Sequence, residues 1–145
     1  MSAQQPSDES VFVRYRFGML HAERKDLDVT HVDQPDHVNV DLDFDVKAFF
    51  NLESAEADIA VERDVWDSNI AVRVKGIFEF SKPFSSVDEA KEFVKSTALV
   101  RTIHVCLAEL DRLARELDVS ALAVPLEIEQ PLQNVNPVYV DPDEN

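Results

Sequence analysis

Glycine is nearly missing from this chain: two occur in 145 residues, Gly18 and Gly76. A glycine-rich turn that cradles phosphate cannot form, so P-loop and dinucleotide-binding fingerprints are excluded. Cysteine is scarcer still. Cys106 stands alone, which rules out a disulfide framework within the chain and suits a reducing compartment. Cations are few, with 14 Lys and Arg against 29 Asp and Glu, a net charge of −15. That balance removes the usual electrostatic attraction to nucleic acid and to anionic membranes. No apolar run approaches the roughly 18–20 residues needed to span a bilayer. The opening MSAQQPSDES has neither a basic nor an apolar region, so no secretory signal is expected. The expectation is a cytoplasmic chain with one domain.

What is present is globular. Hydrophobic residues make up 45% of the chain, too many for a wholly disordered polymer despite the charge. Residues 1–9 are polar and predict a disordered arm. A domain over residues 10–128 comes next, and residues 129–145 form an acidic tail punctuated by Pro131, Pro137 and Pro142.

Period-two alternation dominates the first half. Val11, Val13, Tyr15, Phe17 and Met19 share one face of a first strand. Val38, Val40, Leu42, Phe44 and Val46 oppose Asn39, Asp41, Asp43, Asp45 and Lys47 in a second. Ala55, Ala57, Ile59 and Val61 mark a third, and Ile70, Val72, Val74, Phe78 and Phe80 a fourth. Gly76, inside the fourth strand, signals a bulge or a close backbone approach. The connections are too short for crossover helices, so the strands should pair antiparallel. After Pro83 the period becomes helical. Ser86-Val-Asp-Glu89 has capping-box spacing, and a long apolar stripe runs through Leu99, Ile103, Cys106, Leu107, Leu110, Leu113, Ala114 and Leu117. One unbroken helix would be long for this domain, so a break near residues 95–98 is expected. The fold class is α+β, a four-stranded antiparallel sheet followed by two C-terminal helices.

Chemistry is harder to find. His31, Asp33, Asp36 and His37 match no metal-ligand spacing, so no metal site and no cofactor are expected. His104 and Cys106 lie two apart on a helix and cannot meet, and Cys106 belongs to the apolar stripe. No catalytic residue is assigned, and an enzyme is not expected. Asp41, Asp43 and Asp45 line the wet face of one strand, where they could also present an acidic docking face. The aromatic residues are more telling. Phe12, Phe49, Phe50, Trp66 and Phe84 exceed what one helix layer over one sheet obviously buries, so together with Phe78 they are candidates for an exposed apolar groove.

Three stretches together resemble the SecB export-chaperone family. Val38-Asn-Val-Asp-Leu-Asp43 is similar to its second strand, Val74-Lys-Gly-Ile-Phe78 to its glycine–isoleucine–phenylalanine strand, and Leu122-Ala-Val-Pro-Leu126 to its leucine-rich segment after the last helix. The fourth strand carries Arg73 and Lys75 where the classical members are acidic, so the likeness is to a divergent member, of the kind found beside toxin–antitoxin pairs or in phages and plasmids. The resemblance implies a nucleotide-independent holdase that binds unfolded or partly folded polypeptide, a preprotein or an antitoxin. It also implies a homotetramer built as a dimer of dimers; docking to a translocase motor does not follow from it. The alternative is a dedicated acidic interaction module that docks on a basic partner surface.

Overall fold

The computed structural model describes residues 11–24, 41–65, 68–117, 132 and 134–141. Four long strands are present: β1 (Val11–Arg24), β2 (Asp41–Phe50), β3 (Ser54–Val65) and β4 (Ser68–Phe80). A two-residue strand, β5 (Val138–Tyr139), completes the sheet. The spatial order is β1-β4-β3-β2-β5. The long strands pair antiparallel, but β5 pairs parallel with β2, at Phe49 with Val138 and Phe50 with Tyr139. The sheet is therefore mixed and five-stranded, not four-stranded and antiparallel. The added strand comes from Val138-Tyr-Val140, a β-branched and aromatic run that suits a strand.

The tight connection from β2 to β3 is built by Asn51. Its side-chain oxygen accepts from the backbone N–H groups of Glu53 (2.7 Å) and Ser54 (2.8 Å), and its own N–H donates to the Ser54 carbonyl at 2.9 Å. Such Asx turns are why Asn favours reversals. In β1 the register shifts between Phe17 and Met19, a bulge at Gly18. Phe17 stands opposite Val74 on the helix-facing side, whereas Met19 stands opposite Arg73 on the other. The single face expected for Val11 through Met19 is thus broken after Phe17.

The helical region corrects a second expectation. Helix α1 (Val87–Phe93) and helix α2 (Leu99–Glu116) are joined by a π-helical turn, Val94–Ala98, without leaving helical backbone angles. Residues 95–98 accommodate one extra residue instead of ending a helix, so the two helices are one continuous rod. The Leu99 N–H reaches back five residues to the Val94 carbonyl, the signature of such a bulge. Ser86 caps the start, its hydroxyl accepting from the Glu89 N–H at 3.2 Å. Glu89 turns its carboxylate to the Ser85 hydroxyl at 2.6 Å, so half of the expected capping box forms.

The rod lies across one face of the sheet, with α2 against β3 and β4. Its stripe of Leu99, Ile103, Cys106, Leu107, Leu110 and Leu113 is buried against Ile59, Val61, Val72, Val74 and Phe78. The opposite sheet face has no helix among the described residues, and no helix there is long and apolar enough to cross a membrane. Two sheet edges keep open backbone among the described residues: β1, which pairs only with β4, and β2, of which only the last two residues are covered by β5.

Candidate functional site

The edge of β2 and the returning C-terminal segment enclose a cavity. It has a volume of about 580 Å³ and is lined by Phe44, Val46, Ala48, Phe49, Val135 and Val138, with Asp45, Lys47, Asn134 and Asn136 at its polar margin. The backbone explains the opening. The Phe50 carbonyl accepts from the Val140 N–H at 2.8 Å, so Phe50 presents its backbone groups to β5. Strand alternation then points the N–H and C=O groups of Ala48, Val46 and Phe44 toward the same edge. β5 reaches as far as Ala48, and no described residue stands in register with Val46 or Phe44. The pairing with β5 stops at Phe49 and Val138, so the strand edge beyond it stays open beside the cavity.

β5 is held lightly. Tyr139 packs edge-on against Phe50 with ring centroids 5.6 Å apart, while Val138, Tyr139 and Val140 stay exposed. A second, smaller cavity of about 260 Å³ lies beside the first, between Phe49, Val140 and the Asn51 turn. Phe49 lines both.

The aromatic candidates are scattered rather than gathered. Phe49 is 39% exposed at the cavity, but its neighbour Phe50 is only 3% exposed and belongs to the core. Phe78 is fully buried, wedged edge-on between Tyr15 (6.2 Å) and Phe93 (6.1 Å), so it cannot line an open groove. Phe84 is half-buried in a cluster with Phe80 (4.7 Å) and Phe93 (5.6 Å), which pins the chain leading into α1. Phe12 is 62% exposed, but on β1 at the far side of the sheet from Phe49. Trp66 lies outside the described residues. One candidate, Phe49, therefore sits at the cavity with open surface.

The acidic row fares differently. Asp43 and Asp45 are exposed on the helix-free face of β2, and Asp41 occupies the same alternation at the first residue of the strand. Asp43 stands opposite Glu62, which concentrates negative charge beside the cavity. The residues His31, Asp33, Asp36 and His37 lie outside the described residues, as do residues 1–9 and Leu122-Ala-Val-Pro-Leu126. Among the described residues no group of three or more His, Cys, Asp or Glu could hold a metal.

His104 and Cys106 form no nucleophile–base pair. Cys106 is fully buried, with its thiol directed at the carbonyls of Ile59 (3.8 Å) and Val72 (3.7 Å). Burial pushes that thiol up to about 12, so it stays protonated and unreactive at neutral pH. His104 is exposed on the far side of α2.

Val135, Val138 and Val140 escape a reading of the sequence because the prolines around them mark an irregular tail. The available signal is Val138-Tyr-Val140 itself, a strand-like run between Pro137 and Pro142. Arg63 escapes it likewise. The alternation that buries Ala55, Ala57, Ile59 and Val61 carries it to the helix-facing side, where it is 2% exposed.

No known protein family matches the sequence, and no curated protein matches it. Solved structures do match, ten chains in all. One is the Mycobacterium tuberculosis Rv1957 SecB-like chaperone in complex with a ChAD peptide from the Rv1956 HigA1 antitoxin. It is 10% identical, with a TM-score of 0.58 over 81% of this chain and 88% of that one. Another is a Streptococcus agalactiae protein of unknown function, 12% identical, with a TM-score of 0.37 over 80% of this chain and 97% of that one. At such identities the likeness is one of fold: the chain has a SecB-like arrangement of strands and helix.

Proposed function

We propose that this protein is a nucleotide-independent chaperone that holds non-native polypeptide in an extended form along the edge of β2. The observation that carries this reading is the cavity itself, where unpaired strand backbone lies beside apolar walls. An extended segment satisfies both at once, because its backbone continues the ladder while alternate side chains enter the apolar space. The SecB-like fold supports the reading, as does the relative of that fold which is seen with an antitoxin peptide. Holding of this kind needs no catalytic residue or cofactor. Clients are unfolded or partly folded chains, preproteins or antitoxins among them.

The test is light scattering with several unrelated denatured proteins. Suppressed aggregation, weakened by Phe49→Ser, is expected. If the protein protects none of them, the second reading gains: a dedicated acidic module that engages a basic partner, motivated by exposed Asp43 and Asp45.

Self-association belongs to the same proposal. β1 offers fourteen residues of strand with one unpaired edge among the described residues, bearing exposed Phe17, Met19 and Leu20. Pairing of two such edges would make a dimer. For the dimer of dimers a second contact is needed, and Leu99, Ile103 and Leu107 are not free to provide it because their own sheet buries them.

A further inference from the structure

The helix-free face of the sheet is divided by charge. β1 and β4 carry Arg14, Arg16, Arg73 and Lys75 there, with Glu79 paired to Arg14, whereas β2 and β3 carry Asp43, Asp45, Glu56, Asp58 and Glu62, with Lys47 among them. A cationic patch is unexpected in a chain of net charge −15. At its centre Arg16 stands directly opposite Lys75 in the strand register. Like charges so placed destabilise a sheet. Arg16 forms no ion pair among the described residues, and Lys75 acts on Asp58 only through space.

The local geometry makes a receptacle of this repulsive pair. The β1 bulge at Gly18 opens a cavity of about 330 Å³, lined by Arg16, Phe17, Gly18, Asp58, Arg73 and Lys75. Arg73 is fixed in place by a two-point bond to Asp58, at 3.0 and 2.7 Å. Bulges commonly re-aim side chains beside functional sites. Here the bulge brings Met19 onto the same face as Arg73, and alternation puts Phe12 on the face of Arg14 and Arg16. Both are strongly exposed, so apolar side chains stand at the margin of the patch, Phe12 of them opposite Glu79. A free inorganic anion has no use for such a margin. A peptide carrying both carboxylates and apolar side chains does.

We propose that this patch docks an acidic peptide segment of a partner protein, whose carboxylates meet Arg16 and Lys75 and whose apolar side chains rest on Phe12 and Met19. The site is separate from the β2 cavity. Three strand spacings, about 14 Å, divide the two edges, and the charge of the two surfaces is opposite. The protein could therefore hold a client at one edge and an acidic partner at the other.

The experiment uses the full chain and a fluorescein-labelled synthetic peptide alternating glutamate with leucine, read by fluorescence anisotropy at low salt. Binding should weaken about two- to fivefold in Arg16→Ala and in Lys75→Ala, as for partly exposed ion pairs. The double variant Arg16→Glu/Lys75→Glu should abolish it, while Lys91→Glu on α1 should leave it unchanged. Asp58→Asn removes the carboxylate that competes for the patch, so it should tighten binding, a gain that loss of fold cannot mimic. Raised salt should weaken all of these complexes. Equal binding by the charge-reversed variant overturns the proposal, as does failure of the parent chain to bind. Displacement of the peptide by inorganic phosphate at matched charge concentration overturns it too, by assigning the patch to a free anion. None of these outcomes depends on aggregation suppression, which tests the β2 edge alone.

Discussion

A Cβ on Gly76 would overlap the Thr102 hydroxyl and press on the Phe78 ring at 2.9 Å. Helix α2 and strand β4 therefore meet where β4 has no side chain at all. The Thr102 hydroxyl is itself anchored, donating to the Ala98 carbonyl at 2.7 Å just after the π-helical turn. Gly76→Ala should destabilise the fold by about 1–3 kcal/mol, the usual cost of overpacking. Thr102→Ala in the same chain should recover part of that loss. Urea unfolding of the single and double variants checks both. If Gly76→Ala is neutral, helix and sheet are not in register at this point.

Phe49 and Phe50 adjoin in sequence but face opposite ways. Phe50→Ala empties a core position and should cost about 3–5 kcal/mol. Phe49→Ser should change the melting temperature little, yet weaken client binding. Thermal denaturation followed by circular dichroism separates the two. Equal destabilisation by both would place Phe49 in the core and remove it from the cavity.

Much of the fold is legible in the sequence because alternation reports directly on which side of a sheet is covered. The residues Ala55, Ala57, Ile59 and Val61 read as one buried face, and they are buried. The helical stripe through Leu107 is equally clear, as is the close approach that Gly76 signals. What stays hidden depends on contacts distant along the chain. The pairing of Val138 with Phe49 spans most of the molecule, and no local pattern specifies it. The π-helical turn reads as a break because one unbroken helix would be long for this domain, whereas tertiary packing of Val94, Ala98 and Leu99 keeps the backbone helical. The aromatic residues mislead for a related reason. Composition counts them, but only packing tells Phe78, at the centre of a ring cluster, from Phe49 at an open edge.

Cys106 gives the fold an alkaline weakness. Its thiol ionises near 9.0 when unperturbed, and burial pushes it up to about 12 in the folded chain. A raised pKa means that the folded state binds the proton more tightly. The stability is thus fully present below about 9 and is lost as the pH climbs from there toward about 12. Cys106→Ala should flatten the pH dependence of unfolding in that window, at some cost in packing. A thiol-reactive dye should label the native chain only slowly at pH 8 and rapidly in denaturant. Fast native labelling would show that the thiol is accessible and the assigned helix face wrong.

The edge of β1 decides the assembly. An edge strand with open backbone invites pairing with another chain, and exposed apolar side chains on it add to the pull. Leu20 is 47% exposed on β1, opposite Val72 in register. Repulsion between chains of net charge −15 opposes association, and salt relieves it. Sedimentation should therefore show self-association that strengthens from low to moderate ionic strength. Leu20→Lys places a guarding charge at the strand and should shift the population to monomer at every salt concentration, with the monomer's circular dichroism unchanged. A parent chain that remains at 16.4 kDa throughout would show that the β1 edge does not pair with itself. A parent chain that associates no better than Leu20→Lys would move the interface elsewhere. Salt separates this from docking at the cationic patch: edge pairing of like-charged copies should gain from added salt, whereas binding of an acidic peptide should lose.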